Sequence, residues 1–160
     1  MSIFESMQKN TQICATIKKL AIANNKFDQE SSRKLGLLLG KSQALRELNL
    51  ANTQPTYLFI CASLEKNQTI HNINCAENKL PVKEQKDFVQ FVSQLQQLRQ
   101  LNVSNTGLSA ETLIDVLKTV KTIQLLDISD NEQLGDEGVS ALCNFLTSKL
   151  LPLFVALSRY

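Results

Sequence analysis

Apolar residues separated by a single position recur along the chain as Leu20/Ile22, Leu48/Leu50, Ile73/Cys75, Leu101/Val103 and Leu126/Ile128. Alternation with period two predicts a short strand with one buried face. Three residues after each pair comes an Asn or a Thr: Asn25, Thr53, Asn78, Thr106 and Asn131. Such a side chain can bond backbone groups where the chain leaves a strand. Phe27, Pro55, Leu80 and Leu108 follow at one further fixed position, and Leu134 comes one place later in its copy. Then the period becomes helical. The pairs Leu35/Leu39, Ile60/Leu64, Phe88/Val92, Leu113/Leu117 and Leu142/Leu146 are each spaced i, i+4. That spacing puts both members on one face of a helix.

The units open at Ile17, Leu45, Ile70, Leu98 and Ile123, in steps of 28, 25, 28 and 25. "LRELNLANTQ" and "LRQLNVSNTG" are therefore echoes at 53 residues, as are "IKKLAIANNK", "IHNINCAENK" and "IQLLDISDNE". All five fit L-x-x-L-x-L-x-x-N, with Thr replacing Asn in every second copy. This is the leucine-rich repeat pattern, with a period in the range of roughly 20–29 residues. A longer Asn-type unit alternates with a shorter Thr-type unit. The short copies lose three residues between the Thr and the helix pair, which predicts helices that begin about one turn later. A sixth strand is expected from Pro152, with Val155 and Leu157 inward. The expected fold is α/β: a leucine-rich repeat solenoid with a curved parallel sheet on the concave side and helices on the convex side. Residues 1–160 read as one repeat domain of about five repeats plus a terminal strand, a segment of a longer array.

Strand plus full helix, the alternating repeat types and "LGDEGVSALCNFL" resemble the ribonuclease-inhibitor-like subfamily of leucine-rich repeats. Within it, "LRELNLANTQ" and "LDISDNEQLGDEGVSAL" resemble the repeat domains of CARMIL-type actin-capping regulators and of tropomodulins. The resemblance implies a protein partner, in the first place an actin-regulatory protein. Ran GTPase activators and innate immune receptors carry the same repeat class. They leave open a GTPase-activating domain or an immune-receptor-like segment.

The net charge is +2 and the basic residues are scattered, which argues against a nucleic-acid binder driven by phosphate contacts. The longest apolar run, "LLPLFVAL", has eight residues and contains Pro152, too short to span a bilayer. With no signal peptide legible and four cysteines in no C-x-x-C pair, a cytoplasmic protein with free thiols is expected.

Candidate chemistry is sparse. "GLLLGKS" has three residues between its glycines where a phosphate loop has four, and Leu39 already belongs to a helix pair. Gly40 reads instead as a helix stop. Cys61, His71 and Cys75 come nearest to a metal set but lack four ligands at recognisable spacing. No catalytic residue, cofactor or metal is expected. The informative surface is the concave one, where outward positions form columns. Ala21, Asn49, Asn74, Asn102 and Asp127 form one; Lys19, Glu47, Asn72, Gln100 and Leu125 form another; Ala23, Ala51, Ala76, Ser104 and Ser129 form a smooth third. The expected partner-binding set is Glu47, Asn49, Asn72, Asn74, Gln100, Asn102 and Asp127. The convex aromatics Tyr57, Phe59 and Phe91 are expected to be mostly core. Uncapped ends would invite self-association.

Overall fold

The computed structural model describes residues 6, 9–62, 64, 67–148 and 154–158. A short helix α1 (Thr11–Thr16) leads into six strands: β1 (Lys19–Ala21), β2 (Glu47–Asn49), β3 (Asn72–Asn74), β4 (Gln100–Asn102), β5 (Leu125–Asp127) and β6 (Phe154–Ala156). They form one parallel sheet in sequence order. Between them lie α2 (Gln29–Lys41), α3 (Tyr57–Cys61), α4 (Val82–Ser93), α5 (Ala110–Thr119) and α6 (Gly135–Ser148). Consecutive helices pack side by side as consecutive strands do.

The alternation seen in the sequence is the register of the sheet. Leu20, Leu48, Ile73, Leu101, Leu126 and Val155 lie side by side. Of these, Val155 is half-buried and the others are buried. They meet the buried helix residues Leu35, Leu39, Ile60, Phe88, Val92, Leu113 and Leu117 in one continuous core; Leu64 joins it from beyond the end of α3 at Cys61, so the expected Ile60/Leu64 pair does not share a helix. Leu142 is buried, but Leu146 is 37% exposed. Among the described helices α6 has a neighbour on one flank only, so the second member of its pair is not covered. Pro152 lies outside the described residues.

The helices begin at one fixed distance from the strands. Gln29, Tyr57, Val82, Ala110 and Gly135 each stand twelve residues after their repeat's first residue, in short and long copies alike. Counted from the strand before it, a short-copy helix does not start late. The three missing residues, nearly one turn of 3.6 residues, are lost between the helix start and its buried pair.

One further feature corrects an expected helix boundary. Helix α2 runs through Gly40, and Ser42 caps it by donating its N–H to the Leu39 carbonyl, so Gly40 is no helix stop. Gly36 is the glycine that matters. A Cβ there would stand 2.5 Å from the Ile60 carbonyl oxygen, so only hydrogen lets α2 and α3 approach this closely.

Strands β1 to β5 each exit through a residue in the left-handed region: Asn24, Asn52, Glu77, Asn105 and Asp130. Asn and Asp tolerate this conformation and Glu does so poorly. The next residue is the conspicuous Asn or Thr, and the two types do different work. Thr53 and Thr106 donate their hydroxyls to the carbonyls of Leu50 and Val103 in their own repeats. Asn78 and Asn131 reach across to the repeat before. Asn78 donates to the Leu50 and Cys75 carbonyls and accepts the N–H groups of Thr53 and Gln54. Among the described residues Asn25 bonds only its own Ile22 and Ala23 carbonyls.

Candidate functional site

Strand side chains that do not enter the core form two rows on the open face. The first is Lys19, Glu47, Asn72, Gln100, Leu125 and Phe154; the second is Ala21, Asn49, Asn74, Asn102, Asp127 and Ala156. All seven residues picked out from the sequence line one groove of ≈ 450 Å³ across β1 to β5. The rows run straight because every strand has three residues in the same register. A one-residue slip would turn them into the core.

The two rows are chemically unequal. Asn49, Asn74, Asn102 and Asp127 each turn a side-chain oxygen back onto the backbone. They accept the N–H groups of Ala51, Ala76, Ser104 and Ser129 at 3.0, 2.9, 2.9 and 3.1 Å. These bonds bend the chain out of the strand. Their oxygens are committed to the fold, so the asparagine row is first of all a turn device. In the other row, Asn72 and Gln100 make no side-chain hydrogen bond among the described residues. Glu47 pairs with Lys19 at 2.9 Å, a contact half open to water and of small energetic weight.

The first row also changes character along its length. It starts charged at Lys19 and Glu47, becomes neutral at Asn72 and Gln100, and ends apolar. Leu125 is 39% exposed and its neighbour Phe154 is 72% exposed. Sequence reasoning placed Leu125 in its column but missed Phe154. The same count carried one strand further would have reached it. Leu125 and Phe154 put an exposed apolar pair at the end of an otherwise polar strip.

The expected convex aromatics are core, with one partial exception. Tyr57, Phe88 and Phe91 are buried, and the Tyr57 ring lies 5.1 Å from Phe88 and 5.3 Å from Phe91; Phe59 is half-buried. The metal candidates stand apart in role. Burial pushes the Cys75 thiol up to about 12. Burial, with the Asp87 charge adding to it, pushes Cys61 up to about 11. The imidazole of His71 is bonded at Nδ1 to the Thr69 carbonyl oxygen. No group of three or more metal-binding side chains forms among the described residues. Residues 36–42 lie in α2 and its cap rather than in a loop after a strand, so they are no phosphate loop.

A family profile described as Leucine Rich repeat matches residues 121–143. Leiomodin-1 actin-binding site 2 superposes with a TM-score of 0.70 over 92% of this chain and 89% of that one, at 19% identity. The fold is a leucine-rich repeat solenoid. A stretch of 69 residues is 32% identical to the Rho GTPase-activating protein gacW of Dictyostelium discoideum. That match takes in 43% of this chain and 6% of the relative's length. Within the solenoid, no described helix is long and apolar enough to cross a membrane.

Proposed function

We propose that this solenoid is a protein-interaction scaffold of actin cytoskeleton regulation, of the ribonuclease-inhibitor-like kind, that takes its partner on the concave sheet. The single observation that carries the reading is the groove floor. Glu47, Asn49, Asn72, Asn74, Gln100, Asn102 and Asp127 share one rigid, open surface that ends in an exposed Leu125–Phe154 pair. An interface with a polar strip and an apolar anchor fits a protein partner better than a small molecule, which needs enclosure. The likeness to an actin-binding domain and the repeat phrases shared with actin-capping regulators support actin, or a protein that regulates it, as the partner.

The test is co-sedimentation with actin filaments together with an actin-assembly assay, run on the whole chain and on Asn72→Ala/Gln100→Ala. The expected result is binding or altered assembly that the double change weakens at least tenfold, about 1.4 kcal/mol. The convex pair Lys86→Ala/Gln90→Ala should leave it unchanged. Loss only with the convex pair would move the partner to the helices.

A second reading, stimulation of a small GTPase, rests on the partial likeness to the Rho GTPase-activating protein. Accelerated GTP hydrolysis on adding the chain would replace the scaffold reading. Self-association is proposed as an accompanying property, because among the described residues β1 and β6 each pair on one side only. Light scattering across a concentration series tests it, and a constant monomer mass would refute it.

A further inference from the structure

Where the strands begin, a further row of side chains crosses the sheet. The Arg46 N–H bonds the Lys18 carbonyl, the His71 N–H that of Arg46, the Arg99 N–H that of His71 and the Gln124 N–H that of Arg99, all at 2.7–2.9 Å. Lys18, Arg46, His71 and Arg99 therefore stand side by side, each just before one of four successive strands. Lys18, Arg46 and Arg99 are exposed. The described segments on this rim, 9–18, 41–46, 67–71, 94–99 and 118–124, contain no Asp or Glu. Arg46 holds the Thr69 carbonyl through Nη1 at 2.9 Å, and the His71 ring also bonds it. Those contacts give these two a structural task. Lys18 and Arg99 make no side-chain hydrogen bond or ion pair among the described residues, so the fold gives them none. Among the described residues the one acid beside the row, Glu47, is paired with Lys19.

The cationic row covers β1 to β4, and on β5 and β6 the exposed Leu125–Phe154 pair stands one residue further along, in the adjoining row. Strands stand about 4.8 Å apart, so five steps from β1 to β6 span about 24 Å. An α-helix of about 16 residues covers that length and repeats every 5.4 Å. One carboxylate per turn stays within reach of flexible Lys and Arg side chains along the row. An extended segment returns to the same side only every 6.6 Å or so and drifts out of step.

We propose that this rim and the Leu125–Phe154 patch together dock an acidic amphipathic helix of a protein partner. The helix lies across the strands, its carboxylates over Lys18, Arg46 and Arg99 and an apolar side chain on Leu125 and Phe154. The proposal deepens the concave-face reading and rests on it.

The test uses the whole chain and a labelled synthetic helix of about 16 residues. The peptide carries Glu along one face and Leu in one terminal turn, with Lys-for-Glu and Leu-to-Ser counterparts. Fluorescence anisotropy should show saturable binding of the Glu peptide that weakens with added salt. Lys18→Glu/Arg99→Glu should weaken it at least tenfold, as should Leu125→Ser. Lys26→Glu/Lys83→Glu, away from this rim, should leave it unchanged. Lys18→Ala/Arg99→Ala, a milder change with circular dichroism as folding control, should fall between. Absence of saturable binding, equal binding of the Lys peptide, or indifference to the Lys18/Arg99 reversal overturns the proposal. Tighter binding of heparin or anionic vesicles than of the peptide also overturns it, because the rim would then be a general polyanion surface. If the actin-regulatory partner is lost with Asn72→Ala/Gln100→Ala but not with the Lys18/Arg99 reversal, the concave reading stands and this one falls.

Discussion

Asn131 holds the loop of Thr106 in the repeat before it. Its Oδ1 accepts the Thr106 N–H at 3.0 Å, along with the N–H groups of Gly107 and Leu108, and lies 3.1 Å from the Thr106 hydroxyl oxygen. Its Nδ2 donates to the carbonyls of Val103, Ile128 and Ser129. Asn78 makes the same clasp on Thr53. The next junction is different. Where a Thr repeat follows an Asn repeat, the backbone closes the gap: Phe27 donates its N–H to the Thr53 carbonyl, and Leu80 to that of Thr106. The 53-residue echo is thus an alternation of two ways of joining repeats.

Asn131→Ala and Asn78→Ala should each destabilise the fold by about 3 kcal/mol or more, because several buried backbone groups lose partners at once. Asn25→Ala should cost only about 0.5–1.5 kcal/mol, since Asn25 is exposed and bonds within its own repeat. Urea titration of the three variants checks the contrast. Equal losses would mean the clasp contributes nothing beyond the local turn.

Thr106→Asn should also destabilise, despite the similar chemistry. The site is buried, and the new amide would have to share it with the side chain of Asn131. A rise in midpoint would show that the alternation carries no structural meaning.

Leu101→Ala should cost about 2–5 kcal/mol, because Leu101 is buried in a central strand. Gly36→Ala should cost about 1–3 kcal/mol, because the added methyl meets rigid backbone at Ile60. Glu77→Asn should stabilise by roughly 0.5–1 kcal/mol. It is the one Glu in a left-handed series otherwise filled by Asn and Asp. Thermal melts rank the three, and a destabilised Glu77→Asn would point to an unrecognised role for the Glu77 carboxylate.

Cysteine alkylation followed by mass spectrometry should label Cys143 first, since it is exposed. Cys75 should resist until the chain unfolds, because burial raises its thiol and disfavours the reactive thiolate. Early loss of Cys75 would reveal local opening around Tyr57.

On the acid side, hydrogen bonding to Arg33 lowers the Glu30 carboxyl to about 2 from its ordinary value of 4.5. A carboxylate lowered on folding stabilises the native state fully above its unfolded value and loses that contribution as pH falls through its folded one. Stability supplied by Glu30 should therefore decline between about pH 4.5 and 2, and Glu30→Gln should flatten that part of the curve. The pair is exposed at the start of α2, so the effect should shrink in high salt. An unchanged acid limb in Glu30→Gln would show that the pair is not formed in solution.

Asn74→Ala and Asn102→Ala should each cost about 0.5–1.5 kcal/mol, although both look like free surface residues in the sequence. Each removes the acceptor for the N–H two residues on. For that reason Asn72 and Gln100 are the better pair for testing binding. A stability change near zero in the first pair would mean that water replaces the turn bond without loss.

By itself the sequence determined the repeat, the parallel sheet and the two open-face rows across β1 to β5. These follow from periodicity, and periodicity is local: a strand shows every second residue to the core, and a helix every third or fourth. It also marked Asn78, Thr106 and Asn131 as turn residues, since an Asn or Thr stood at a constant place after each strand. What lay beyond it depended on distances between repeats. The clasp of Asn131 on Thr106 joins positions 25 residues apart, and the Gly36–Ile60 approach joins positions 24 apart. No window along the chain contains either contact. The asparagine row looked free because the turn that uses its oxygens exists only after the backbone bends. The row of Lys18, Arg46, His71 and Arg99 looked like scattered charge because its members are 25 to 28 residues apart and meet only when parallel strands stack. Tertiary structure decided which polar groups remain available to a partner, because only the folded chain shows which ones it has already used.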